Sequence, residues 1–299
     1  MSMDLRLLRY FVATAEAGSV TAAAADLRIT QPVLSRQLRE LERQLNLHLF
    51  ERDGRRLRLT GAASAFLAEA RGLLSHADQV ERAAGAIASG RLSVLQLVAP
   101  TTTVTDVLAP FLATLSADDP IPMVSEMDPQ DAAAALRSGA DLAIATHSPT
   151  SMVAWRLLAA LPVLAYVCGS DPWADRSSVR VNELAGRRLI LLPPSFRPRE
   201  LLDEAMDSAG IGYGETIEVA NAQVAQAVAA TGRGVAVVSD DPRFGLVPLR
   251  IDGPGGQVKI RLYAAWDPLH PAAGALSNLA DRLSAFCVTR YGAGVSPIA

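Results

Sequence analysis

The chain has 299 residues, half of them hydrophobic and a fifth charged, which allows two or three folded units and excludes a disordered or fibrous protein. The longest near-continuous apolar run, Leu157 to Cys168, is interrupted by Pro162 and falls short of the roughly 20 residues of a membrane helix, so no membrane partner is expected. The net charge of −3 hides an asymmetry: the first 60 residues hold 10 Arg against 7 acids, a net of +3, and the remainder carries a net of −6.

Residues 1–6 lack a basic stretch leading into an apolar run, so no secretory leader is expected. Cys168 and Cys287 stand far apart without partner cysteines, which fits a reducing compartment. A cytoplasmic location is the expectation.

In chain order, the apolar residues at 5, 8, 11, 12 and 15 predict a helix that stops at Gly18. Thr21 is the expected cap of a second, alanine-rich helix through Leu27. Thr30 is the expected cap of a third, with Pro32 in its first turn and Asn46 as a left-handed stop. On that third helix Leu34, Leu38, Leu41 and Leu45 form one apolar stripe. Arg36, Arg39 and Arg43 lie opposite it, with Gln31 and Ser35 near the N-terminal end. Exposed arginines on a helix are usually just a solvated face.

The next segment changes that balance. Short apolar runs at 47–50 and 57–59 flank Glu51-Arg52-Asp53-Gly54-Arg55-Arg56, and Asp-Gly signals a tight hairpin. Three short helices and an arginine-tipped hairpin predict a winged helix-turn-helix. Its third helix would enter the major groove of double-stranded DNA and its wing would reach the backbone or minor groove. The expected DNA-binding set is therefore Thr30, Gln31, Pro32, Ser35, Arg36, Arg39, Arg43, Arg52, Arg55 and Arg56.

The segments 19–27 (SVTAAAADL), 30–45 (TQPVLSRQLRELERQL), 49–52 (LFER) and 59–60 (LT) together resemble the N-terminal domain of LysR-type transcriptional regulators. The resemblance covers nearly all of residues 4–60. It implies a linker helix and then an effector-binding domain built like a periplasmic solute-binding protein. Asn46 and His48 stand where the family usually has Gly and Pro, and Ala63 where a Gly is common. Asn tolerates the left-handed conformation, so the fold should not suffer.

From Ala63, apolar residues at 63, 66, 70, 73, 77, 80, 84 and 87 alternate intervals of three and four, an a/d seam. One reading is a helix packed on its own domain; the other, which the resemblance favours, is a helix that pairs two copies of the chain into a homodimer or homotetramer on a roughly palindromic operator. Beyond Gly90, β-rich runs alternate with helices, which predicts an α/β domain with mainly parallel sheets in two lobes. The expected organisation is 1–60 for the winged helix-turn-helix, 61–90 for the linker and 91–299 for the effector domain. Lobe I would hold about 91–162 and 268–290, and lobe II about 163–267. The crossings fall near 161–164 and 264–268.

In two such lobes, small molecules collect at strand ends facing the cleft. Thr101, Thr102 and Thr103 follow the first strand, where they either cap a helix or contact the ligand; they resemble the family's hydroxyl-rich effector loop. Thr146 and His147 follow another strand at a position that also faces the family's cleft. Phe196 and Arg197 lie between a strand and a helix beside Arg199, and either arginine could hold a carboxylate. Asn221 caps a helix, lines the cleft, or does both. Together they favour a small anionic effector, possibly a carboxylate.

No metal or cofactor is expected, since the histidines are scattered and Gly232-Arg233-Gly234 lacks the third glycine of a dinucleotide fingerprint. No nucleophile elbow or other catalytic constellation is seen, so the chain is read as a regulator and not an enzyme. The rival reading is a solute-binding protein or a small-molecule sensor without a DNA-binding role.

Overall fold

The computed structural model describes residues 3–53, 56–89, 92–127, 132–149 and 152–296; of residues 52, 53, 56, 79, 82, 83 and 86–89 it describes the backbone alone. The chain falls into two compact units, residues 1–90 with 137–139 and residues 91–136 with 140–299.

In the first unit, helix α1 (Leu5–Ala17) starts where Asp4 accepts a hydrogen bond from the Arg6 amide and stops at Gly18, whose φ of 60° glycine adopts without steric cost. Helix α2 (Val20–Asp26) is capped by Ser19 and not by Thr21: extended Ser19 accepts from the Ala22 amide, which leaves Thr21 inside the first turn. Helix α3 (Gln31–Leu45) begins after Thr30, whose hydroxyl makes no capping bond, and ends at Asn46 in the left-handed conformation. Strands β1 (Phe50–Asp53) and β2 (Arg56–Leu59) pair antiparallel from Phe50↔Leu59 to Asp53↔Arg56.

Leu34, Leu38 and Leu41 of α3 are buried with Leu7, Leu8 and Phe11 of α1. The Phe11 ring lies 5.7 Å from that of Phe50 and 5.6 Å from that of Phe66, so one side chain ties α1, the hairpin and the next helix together. That helix, α4 (Gly61–Ser89), divides the expected seam. Ala63 and Ala70 are buried in the unit's own core and Phe66 packs against it, whereas Leu73 is 42% and Val80 56% exposed. Domain packing reaches Leu74, which is buried in the same core, and the open stripe starts beside it at Leu73.

The second unit begins with β3 (Val94–Ala99). Helix α5 (Thr101–Thr103) continues through a π-turn, Val104–Leu108, into α6 (Ala109–Leu112). Then come β4 (Ile121–Glu126), α7 (Ala132–Arg137), β5 (Leu142–Ala145) and β6 (Ala154–Pro162). The chain continues through β7 (Leu164–Val167), β8 (Ser178–Arg180), α8 (Val181–Leu184), β9 (Leu189–Leu191), α9 (Arg197–Ser208), β10 (Thr216–Glu218), α10 (Ala222–Ala230) and β11 (Val235–Val238). It closes with β12 (Val247–Gly253), β13 (Gly256–Gln257), β14 (Lys259–Trp266) and α11 (Ala273–Tyr291).

One sheet has the order β4-β3-β5-β14-β6 and the other β10-β9-β11-β7-β12-β13, with β8 on β12. Each is mixed, which corrects the expectation of mainly parallel sheets. The βαβ strands β3, β4 and β5 run parallel, as do β9, β10 and β11, but β14 in the first sheet and β7 in the second run antiparallel to them.

The outward crossing falls at Val163, between β6 and β7. The return falls at Val258 and not at 264–268, because β14 pairs with β6 from Lys259↔Pro162 to Trp266↔Ala154 and so belongs to the first sheet. Lobe II ends near 257 and lobe I resumes at 259. The two crossings meet where the Val163 amide donates to the Val258 carbonyl at 3.0 Å.

Candidate functional site

The first unit presents a polar face on α3. Thr30, Gln31, Pro32, Arg36, Arg39 and Arg43 are exposed and Ser35 is half-buried, while the leucine stripe faces inward. Gln31 Nε2 donates to Ser35 Oγ at 3.1 Å, and Arg39 Nε to the Ser35 carbonyl at 3.2 Å. Arg43 is paired with Glu40 at 2.6 Å, and this guanidinium, with Gln44, holds the Glu40 carboxyl down at about 2. Arg43 is thus partly neutralised within its own helix, whereas Arg36 has no ion pair among the described residues. The backbone places Arg52 and Arg56 on the two hairpin strands; their side chains, and all of Arg55, lie outside the described residues.

Two contacts that sequence reasoning missed fix the hairpin. Glu42 Oε1 of α3 accepts from the Leu49 amide at 2.8 Å, and the Thr60 hydroxyl donates to the His48 carbonyl at 2.7 Å, closing the hairpin's base.

In the second unit a cavity of about 320 Å³ lies between the lobes. Its apolar wall includes Val107, Leu161, Leu164, Leu192, Ile260 and Leu262. Of the expected ligand residues, Thr101, Thr102, Thr103, Thr146, Phe196 and Arg197 line it. His147 and Asn221 do not. His147 Nε2 instead lies 3.1 Å from Glu200, bridging the lobes, and Asn221 caps α10 by accepting from the Val224 amide at 2.9 Å. Pro100, not a threonine, occupies the cap position of α5, so the three hydroxyls are free of that role. Thr101 donates to Glu126 and Thr102 to Asp240.

Both candidate carboxylate clamps already hold carboxylates. Arg197 Nη1 is 3.0 Å from Glu200 and from Glu204, and Arg199 pairs with Asp203 at 2.7 Å while lying over the Tyr213 ring. Both sit in the first turn of α9, where acids three, four and seven positions on can reach them.

The residues missed altogether are the charged ones. Asp106, Asp240 and Asp241 line the cavity. Arg243 Nη2 donates to Asp106 at 2.5 Å and Arg290 Nη2 to Asp241 at 2.7 Å, both across the lobes; Arg243 Nε is buried without a partner among the described residues. The Asp241 amide donates to Asp106 at 2.9 Å, and the Tyr291 hydroxyl to the Asp106 carbonyl at 2.9 Å. Burial outweighs these contacts and raises the Asp106 carboxyl above its ordinary value. Burial, with the neighbouring Asp106 charge, lifts Asp240 to about 7. The Tyr166 hydroxyl, driven upward by burial, donates to the Asp240 carbonyl. A signal existed: Ser239-Asp240-Asp241 follows a buried strand, the same rule that pointed to Thr101 and Thr146.

Residues 5–64 match the bacterial regulatory helix-turn-helix proteins of the lysR family, and residues 88–287 match the LysR substrate binding domain. The HTH-type transcriptional regulator TfdT of Cupriavidus pinatubonensis (strain JMP 134 / LMG 1197) is 36% identical over 203 residues, 66% of this chain and 88% of that protein. The probable cat1 operon transcriptional activator of Acinetobacter lwoffii is 31% identical over 254 residues, 81% of this chain and 82% of the relative. Full-length CbnR in complex with its target DNA superposes with a TM-score of 0.74 at 25% identity, covering 94% of this chain and 100% of that one. No described helix is long and apolar enough to cross a membrane.

Proposed function

The chain belongs to the LysR family of DNA-binding transcriptional regulators with an effector-binding domain, and on that premise we propose how its residues divide the work. Gln31, Ser35 and Arg36 read base edges in the major groove. Thr30, Pro32, Arg39 and Arg43 lie against the adjoining backbone, with the free amides of the α3 N-terminus facing a phosphate. Arg52, Arg55 and Arg56 on the hairpin add phosphate or minor-groove contacts. The observation that carries this is the α3 face itself: a row of exposed polar side chains on a helix whose opposite stripe packs into the core through Leu34, Leu38 and Leu41. CbnR, the relative seen on its target DNA, matches this fold over 94% of the chain.

Residues 1–60 serve as the DNA-binding head, 61–90 as the linker and the remainder as the sensor, the protein working in the cytoplasm. Leu73 and Val80 continue the seam as an exposed stripe, and pairing of two such stripes gives a dimer that holds two heads on a roughly palindromic site. The effector is a small molecule bound between the lobes. Thr102–Asp240, Asp106–Arg243, Asp241–Arg290 and His147–Glu200 all cross that gap, so occupancy that alters any of them changes the angle between lobes.

The test is binding to duplexes selected from a random pool. Arg36→Ala should relax sequence preference, costing about 1–3 kcal/mol on the selected site and little elsewhere. Arg55→Ala should weaken all duplexes alike and lower the salt slope by about one unit. Identical behaviour of the two variants on every sequence would remove the assignment.

A further inference from the structure

We propose that the interlobe cavity takes a protonated amine carried on an apolar frame, its ammonium seated against the Asp240 carboxylate; this rests on the reading of the cavity as the effector site. Three carboxylates line the cavity, and two are matched: Asp106 by Arg243 and Asp241 by Arg290. Asp240 is only 5% exposed and has no ion-pair partner among the described residues. Its Oδ1 accepts from the Thr102 hydroxyl at 3.2 Å, and its Oδ2 takes no hydrogen bond from any described residue.

Buried carboxylates are seldom left so; they are paired or they remain protonated. Arg197, which also lines the cavity, cannot serve as the missing cation because it is shared between Glu200 and Glu204. A carboxylate ligand would add a further negative charge beside Asp106, Asp240 and Asp241. This departs from the sequence expectation of an anion, whose charged part was Arg197 or Arg199. The wall of Leu161, Leu164, Ile260 and Leu262 sets the rest of the ligand: a hydrocarbon or aromatic body.

Proton competition follows from the same geometry. The groups facing Asp240 are Thr102 and Asp106 from lobe I and Tyr166, Asp241 and Arg243 from lobe II. With the Asp240 carboxyl raised to about 7, a cation must displace its proton below that pH. Affinity should therefore rise with pH, by roughly tenfold between about pH 6 and 8.

The experiment is calorimetric titration of the full chain with benzylamine, benzyl alcohol and benzoate, three probes of one shape and different charge. Benzylamine should bind roughly tenfold tighter than the alcohol at about pH 8, with benzoate weakest. Asp240→Asn, nearly isosteric, should erase the order. Should that variant fail to fold, the wild-type pH series decides: the benzylamine constant must rise with pH while that of the alcohol stays flat. Benzoate binding tightest, an order that survives Asp240→Asn, a benzylamine constant independent of pH, or no probe binding at all would each overturn the proposal. Specific binding to a selected DNA duplex is measured in parallel. Its persistence after a failed charge order would spare the regulator reading, and its absence would sink that reading while leaving the charge order to stand.

Discussion

Arg36 on α3 stands in solvent with no ion pair among the described residues, whereas Arg243, beside the cavity, has Asp106 at 2.5 Å. The contrast extends to both sites. On the head, polar groups are exposed and mostly engage neighbours on their own helix, so they can be turned toward a polyanion without leaving an uncompensated charge behind. In the sensor, charges far apart in sequence satisfy one another inside a low-dielectric gap, and a ligand must either fit the residual charge or break a pair. Exposed sites are specified by what they offer to the outside; enclosed ones by what they leave unmatched.

Four changes would break or sharpen this comparison. The largest effect is expected in the support of the exposed site. Leu34 is fully buried beneath the polar face of α3, and Leu34→Ala should destabilise the first unit by about 2–5 kcal/mol and abolish DNA binding at moderate temperature. Unfolding followed by denaturant should show the loss in that unit, with probe binding to the second unit retained.

Next comes the enclosed charge. A carboxyl raised from 3.8 to about 7 is favoured protonated in the folded state. Its contribution is greatest below the unfolded value and is lost as pH rises through 7, a change on the order of a few kcal/mol. Asp240→Asn removes that titration. The variant should gain thermal stability relative to wild type as pH goes from about 5 to 8, and a constant difference across that range would show that Asp240 is not enclosed as described.

A smaller change is expected at the open stripe. Leu73→Asp puts a charge on a residue that is 42% exposed in the single chain and loses its water only on pairing. Sedimentation should show a weakened dimer, with monomer appearing at concentrations where wild type is paired. An unchanged oligomer would return α4 to a purely domain-packed role. The smallest effect belongs to Glu40→Gln, which releases exposed Arg43. DNA affinity should rise by no more than about threefold, and only at low salt, because exposed pairs contribute little.

The head was legible in the sequence because its signals are local. The leucine stripe, Asn46 as a left-handed stop and the Asp53-Gly54 hairpin each follow from residues within a few positions of one another. The errors there were correspondingly small, such as the cap moving from Thr21 to Ser19. The alternation of strands and helices beyond Gly90 was also legible, since buried strands are short apolar runs wherever they pair.

The sequence could not give the partners. Nothing near Lys259–Trp266 says that this strand pairs with β6, yet that pairing moves the return crossing to Val258 and sets the lobe boundary. Nothing near Arg197 excludes it as a carboxylate clamp until α9 brings Glu200 and Glu204 to it. The cavity's charge depends on Asp106 meeting Arg243 and Asp241 meeting Arg290, contacts 137 and 49 residues apart. Sequence determined which elements form and which faces they bury, because periodicity and capping act within a turn or two of chain. Only the tertiary structure decided which charges are cancelled and that Asp240 is left unmatched, because Coulomb interactions and burial depend on distance in space and not along the chain.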